Sequence, residues 1–221
     1  MRTVDPILEE LLALILRMCG RAEGIIEKAL RAIERRDAAL AASVAEDDLE
    51  IDRLDVEIDE AVLKALALQA PVAEELRQVI AVKTMANDLE RVGDLARNVA
   101  SSAIRLAEAT GFEVPGALIE LGQGARRQLR MALDCFTERN PDRAREVLEG
   151  DDVLDEQQDR LVRGMLEAIE GDPSCTRPCV DVILVAESLE RVGDHATNIA
   201  EDVILVAEAE NVKHAEKLAR G

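Results

Sequence analysis

Residues Leu89–Asn98 read LERVGDLARN, and Leu189–Asn198 read LERVGDHATN. The phrase is written twice, with Glu90 and Glu190 standing 100 residues apart. An α-helix turns about 100° per residue. On that wheel Leu89, Val92, Ala96 and Val99 gather on one side, and Leu189, Val192, Ala196 and Ile199 do the same. Core packing explains a seam of this kind in both copies. Gly93 and Gly193 lie beside it. Glycine costs about 1 kcal/mol inside a helix, so each is expected to mark a close approach of another helix.

The shared polar residues need another explanation. Glu90, Asp94 and Asn98 are spaced four apart, away from the seam, and Glu190, Asp194 and Asn198 repeat them. A solvated face constrains only polarity and would accept Lys, Gln or Ser equally well. Two like charges four apart on a helix cost about 0.2–0.5 kcal/mol. Something must offset that cost twice.

Working outward, capping residues and prolines divide the chain. Asp5-Pro6, Asn140-Pro141 and Asp172-Pro173 each place a capping side chain before a proline at the first helical position. Asp37 is a further cap, Pro71 ends a run, Gly111 reads as a C-cap, and GFEVPG (111–116) is a mid-chain linker. Six helices are predicted, at about 5–36, 38–69, 72–110, 115–139, 141–170 and 173–210. No stretch alternates like a strand. In the second helix Ile51, Ile58 and Ala65 form a seam at heptad spacing, and Leu154, Leu161 and Ala168 repeat it in the fifth, 103 residues on. The fold class is therefore all-α: two tandem repeated three-helix bundles, residues 1–111 and 112–221.

Composition agrees. The chain has 221 residues, 48% apolar, with two Phe and no Tyr or Trp. Ala, Leu, Glu and Arg dominate, as in helix bundles. The formal net charge is −19, which disfavours nucleic-acid partners and direct adhesion to anionic membranes. ILEELLALILRM near the N-terminus is interrupted by Glu9 and Glu10 and reads as an amphipathic helix, not a signal peptide or a span. A cytoplasmic protein is expected. Cys19 and Cys135 read as buried thiols. Cys175 and Cys179, a lone pair four apart beside Pro178, are a weak signal for a metal or redox site.

The second helix supplies a partner for the acidic stripe. Asp48 and Asp52 flank its seam, and Asp151 and Asp155 recur 103 residues later. Asp55 and Asp59 are not kept, since Gln158 and Val162 replace them. If the second and third helices of each repeat are antiparallel neighbours, four carboxylates and an amide converge. Such oxygen donors suit hard or borderline divalent cations: Mg, Mn or Fe, with Zn also admitted. The candidate metal residues are Asp48, Asp52, Glu90, Asp94 and Asn98 in the first half, and Asp151, Asp155, Glu190, Asp194 and Asn198 in the second.

The doubled ERVGD with Asn one turn later, joined to these acidic pairs in an all-α chain, resembles the PhoU family of bacterial regulators of phosphate uptake and phosphate-starvation signalling. The resemblance covers essentially the whole chain. It implies two three-helix repeats with metal clusters at the acidic motifs. It also implies a non-enzymatic regulator that connects the phosphate ABC transporter, through its ATPase, to a sensor histidine kinase. A homodimer is expected, recruited to the inner face of the membrane by partners and not inserted. The one departure is His195, where the first copy has Leu95, so the two sites are expected to differ in metal preference.

Two other classes stand beside this one. A PhoU-like accessory protein of another transporter would carry the same motifs. A carboxylate-bridged metalloenzyme or metal buffer is the other. Di-iron oxidases need Glu-x-x-His on paired helices, and neither His195 nor His214 has Glu three residues before it. There is no phosphate-cradling glycine loop or dinucleotide fingerprint.

Overall fold

A computed structural model describes residues 6–213; the Asp5 cap and His214 lie outside them. The helices are α1 (Pro6–Arg35), α2 (Ala38–Ala42), α3 (Val44–Gln69), α4 (Glu74–Glu108), α5 (Gly116–Glu138), α6 (Pro141–Glu149), α7 (Asp151–Gly171) and α8 (Thr176–Glu208). A 3-10 turn, Pro173–Cys175, leads into α8. No strand occurs among the described residues.

Six helical rods thus stand where the sequence places them, but two are broken. The second divides at Ser43, which keeps right-handed helical angles (φ −73°, ψ −9°) between α2 and α3. Its hydroxyl donates to the Leu40 carbonyl at 2.8 Å, so a side chain competes with the helix for its own backbone. The fifth divides at Gly150, at nearly the same angles, where glycine holds the helix weakly. That break makes Asp151 the first residue of α7. Pro178 sits in the first turn of α8, where its missing N–H costs nothing.

The caps repeat too. Asp37 accepts from the Leu40 N–H at 2.9 Å, and Asn140 accepts from the Arg143 N–H at 3.2 Å. Just before each, Arg36 and Arg139 take left-handed backbone (φ 51° and 53°), ending α1 and α5 alike. The Arg36 guanidinium also donates to the Leu106 carbonyl at 2.7 Å and to Ala109 and Phe112, sealing the C-terminal carbonyls of α4.

In the first repeat α1, α3 and α4 pack together; in the second α5, α6 and α7 pack on α8. The largest interface joins α4 to α8. Their partners run in opposite order, Thr84 with Asp202, Asp88 with His195, Arg105 with Asp181, so the two helices are antiparallel. Both expected seams lie in the core: Leu89, Val92, Ala96, Val99, Leu189, Val192, Ala196 and Ile199 are all at most 1% exposed. On the other face of the bundle α7 is looser. Leu154 and Leu161 are buried, but Ala168 is partly exposed where Ala65 is buried.

Candidate functional site: two acidic clusters

Each glycine of the repeated phrase sits where the acidic helix comes closest. A Cβ on Gly93 would lie 2.7 Å from Asp48 Oδ1 and 3.2 Å from Ile51. A Cβ on Gly193 would lie 2.8 Å from Leu154 and 3.7 Å from Asp151 Oδ1. The missing side chain therefore lets α3 bring Asp48 against α4, and α7 bring Asp151 against α8.

In the first repeat Asp48 is 2% exposed. Burial pushes its carboxyl above the ordinary range, the Arg97 guanidinium opposes this, and Asp52 and Asp94 reinforce it. Glu90 is raised by burial and then by Asp94, with smaller pushes from Asp55 and Asp52. Asp48, Asp52, Glu90 and Asp94 thus feel one another across α3 and α4. A cation of the chain's own lies among them: Arg97 donates to Asp48 at 2.8 Å and to Asp94 at 2.8 Å. Arg91 adds a contact to Asp94 at 3.2 Å.

The second cluster has the same carboxylates and no such cation. Asp151 is pushed up to about 6, first by burial and then by Asp155 and Asp194; the Gln128 amide, donating at 3.3 Å, partly offsets this. Glu190 is pushed up to about 7 by burial, Asp194, Asp155 and Asp151, with only Arg191 opposing. Asp155 is raised by burial and by Asp194. Where Arg97 would be, Thr197 turns its hydroxyl to its own helix, donating to the Asp194 carbonyl at 2.7 Å.

The two asparagines do not join these clusters. Asn198 donates to Asp88 Oδ1 at 3.1 Å, in the seam between α4 and α8. Asn98 is exposed and faces the cleft that Arg191 of α8 lines. Each four-residue step along a helix turns about 40°, so the asparagine has drifted about 80° from the glutamate and points to another neighbour. His195 also faces Asp88, at 2.8 Å from Nδ1, and not the carboxylates beside it. The asymmetry of the two sites comes from Arg97 and Thr197 instead. Among the described residues no three His, Cys, Asp or Glu side chains already stand as a ligand set for a metal ion.

Sequence reasoning missed Arg97, Gln128 and Asp88. The first was legible, because Arg97 and Thr197 are one of only two differences inside the repeated phrase. The others lie on neighbouring helices with no motif to mark them. Cys175 and Cys179 are free thiols with sulfurs 3.5 Å apart.

Comparison with known proteins follows the same division. The PhoU domain matches twice, at residues 15–103 and 118–203. A Caulobacter vibrioides phosphate-specific transport system accessory protein PhoU homolog is 37% identical over 195 residues, covering 88% of this chain and 85% of that protein. Its Rhizobium meliloti counterpart is 35% identical over 211 residues, covering 94% and 88%. The crystal structure of PhoU from Pseudomonas aeruginosa superimposes with a TM-score of 0.89 at 32% identity, covering 92% of this chain and 98% of that one. A doubled three-helix unit, a doubled domain match and relatives over nearly the full length agree: the chain belongs to the PhoU domain family.

Proposed function

We propose that this protein is a non-enzymatic regulator of phosphate uptake and phosphate-starvation signalling that works by binding partners and divalent cations. Support for the first part is family membership along nearly the whole chain, with relatives named accessory proteins of a phosphate-specific transport system. The partners are the ATPase of a phosphate ABC transporter and a sensor histidine kinase, met at the cytoplasmic face of the membrane. No described helix is long and apolar enough to cross a membrane, so attachment runs through those partners. A strongly acidic body favours basic partner surfaces, and association weakens as salt rises. The working form is a homodimer.

The cation part rests on the second cluster. Asp151, Asp155, Glu190 and Asp194 raise one another's pKa with little positive charge among them. Four carboxylate oxygen donors suit Mg, Mn or Fe, with Zn as a further candidate. A bound dication supplies charge neutralisation there, while the chain's own residues orient the carboxylates: Gly193 admits α7, and Gln128 holds Asp151. The first cluster contains Asp48, Asp52, Glu90 and Asp94 but already holds Arg97, so it binds cations more weakly.

Deleting the gene is expected to leave phosphate-starvation genes switched on in phosphate-rich medium, and the protein is expected to co-purify with the transporter ATPase. Normal repression in the deletion strain together with no co-purification would overturn the regulatory reading.

A further inference from the structure

The left-handed arginines that end α1 and α5 do different work. Arg36 ties down the Leu106, Ala109 and Phe112 carbonyls, which draws the linker over the end of α4, and Phe112 packs there against the core. Arg139, its counterpart 103 residues on, turns instead to Glu74, at 4.0 Å. Beside it, along the last turns of α8, lies a cavity of about 440 Å³ between α1, α4, α5 and α8. Its walls are apolar: Leu16 comes from α1, Val82 from α4, Phe136 from α5, and Val203 and Val206 from α8. Leu16 is 45% exposed, so this apolar wall meets solvent.

The charges on the lining do not cancel. Glu74 is matched by Arg139 and also accepts from the Gln78 amide at 3.3 Å. Arg77, the second guanidinium on the lining, makes no side-chain hydrogen bond or salt bridge among the described residues. Its Nε is closed off from solvent without an acceptor. A buried donor left unpaired is costly and rare in native proteins. On the lining of a cavity it points to an acceptor that the chain itself does not supply.

We propose that this cavity binds a single-chain alkyl carboxylate, its tail against the apolar walls and its head on Arg77. Two guanidiniums and one carboxylate on the lining leave one positive charge, the complement of a monoanion. The guanidinium fork takes both oxygens of a carboxylate at once. A cavity of this size, mostly apolar with a few polar groups that fix orientation, is the usual form of a small-molecule site. No carboxylate of the two acidic clusters lines it, so it depends on neither metal binding nor the regulatory reading.

The test is calorimetric titration of the full-length chain at pH 7.5, freed of bound lipid on a hydrophobic resin. The probes are hexanoate, octanoate, 1-octanol and octyltrimethylammonium, all below micelle-forming concentrations. Saturable binding of octanoate is expected, about fifteenfold tighter than hexanoate for its two extra methylenes. Octanol should bind about tenfold more weakly than octanoate, and octyltrimethylammonium more weakly still. Arg77→Gln should weaken octanoate about tenfold and leave octanol within a few-fold, a split that a purely structural role would not produce. Val206→Trp fills the cavity and should remove binding of both, while Arg160→Gln, on an exposed turn of α7, should change nothing. Thermal melts show that each variant is folded; if Val206→Trp is not, Arg77→Gln alone decides. No saturable binding of octanoate, equal binding of octanol or octyltrimethylammonium, or octanoate affinity unchanged in folded Arg77→Gln overturns the proposal.

Discussion

The two acidic clusters share four carboxylates and a glycine that lets one helix approach another, and they differ in what balances the charge. In the first, Arg97 reaches from α4 into the group and touches Asp48 and Asp94. In the second, Thr197 bonds its own helix and Asp151 has a neutral amide instead. Removing one residue's charge turns a self-neutralised cluster into one that protons or a cation must neutralise. Duplication supplied the frame, and a position inside the repeated phrase set the chemistry of each copy.

The largest effect should come from breaking the balance where it exists. Arg97→Ala leaves Asp48, nearly fully buried, without its partner. Chemical denaturation at pH 7.5 is expected to register a loss of about 2–3 kcal/mol, below the full cost of breaking a buried pair because the arginine is half exposed. Asp48→Asn added to that variant should restore part of the loss. The matching change Thr197→Ala should cost little.

The glycines give a smaller contrast. Gly93→Ala drives a methyl into the pinned Asp48 carboxylate, whereas Gly193→Ala meets the mobile end of Leu154. Against the gain in helix propensity of about 1 kcal/mol, Gly93→Ala should still destabilise by about 1–2 kcal/mol, and Gly193→Ala should be close to neutral. Thermal melts compare the two directly; equal losses would contradict the difference in packing.

Protons sharpen the comparison further. Folded Asp151 and Glu190 hold theirs up to about 6 and about 7, against ordinary values of 3.8 and 4.5. Between those limits the folded chain binds more protons than the unfolded one. Stability is therefore greatest below the unfolded values and is lost as pH rises through the folded ones. For metal-stripped protein the part due to this pair, discounted for solvent screening, is about 1–2 kcal/mol between pH 5 and 7.5. The double variant Asp151→Asn, Glu190→Gln should flatten that slope.

Much of this architecture was legible in the chain. The six rods, their caps and both seams follow from periodicity and from proline and asparagine punctuation, because each depends on neighbours within one turn. The breaks at Ser43 and Gly150 were not foreseen. A serine or glycine inside an amphipathic run is usually tolerated, and only packing on α4 and α8 decides whether the helix yields. The carboxylates that face one another were legible from their doubled spacing. Other contacts were not: Gln128 reaches Asp151 from α5, Asp88 meets His195 and Asn198 from the opposite repeat, and no local pattern encodes an encounter between distant helices. Asn98 and Asn198 fall outside the clusters because a stripe at four-residue spacing winds around the helix.

Under the proposed function, the residue at the ninth position of the repeated phrase, Arg97 in one repeat and Thr197 in the other, decides which cluster takes a cation. The direct measurement is the number and affinity of Mn²⁺ ions bound at pH 7.5 by the parent chain, Thr197→Arg and Arg97→Thr. The parent should bind through the second cluster, Thr197→Arg should lose that binding, and Arg97→Thr should gain a comparable site in the first. Equal binding at both clusters of the parent, or binding indifferent to both substitutions, would contradict it.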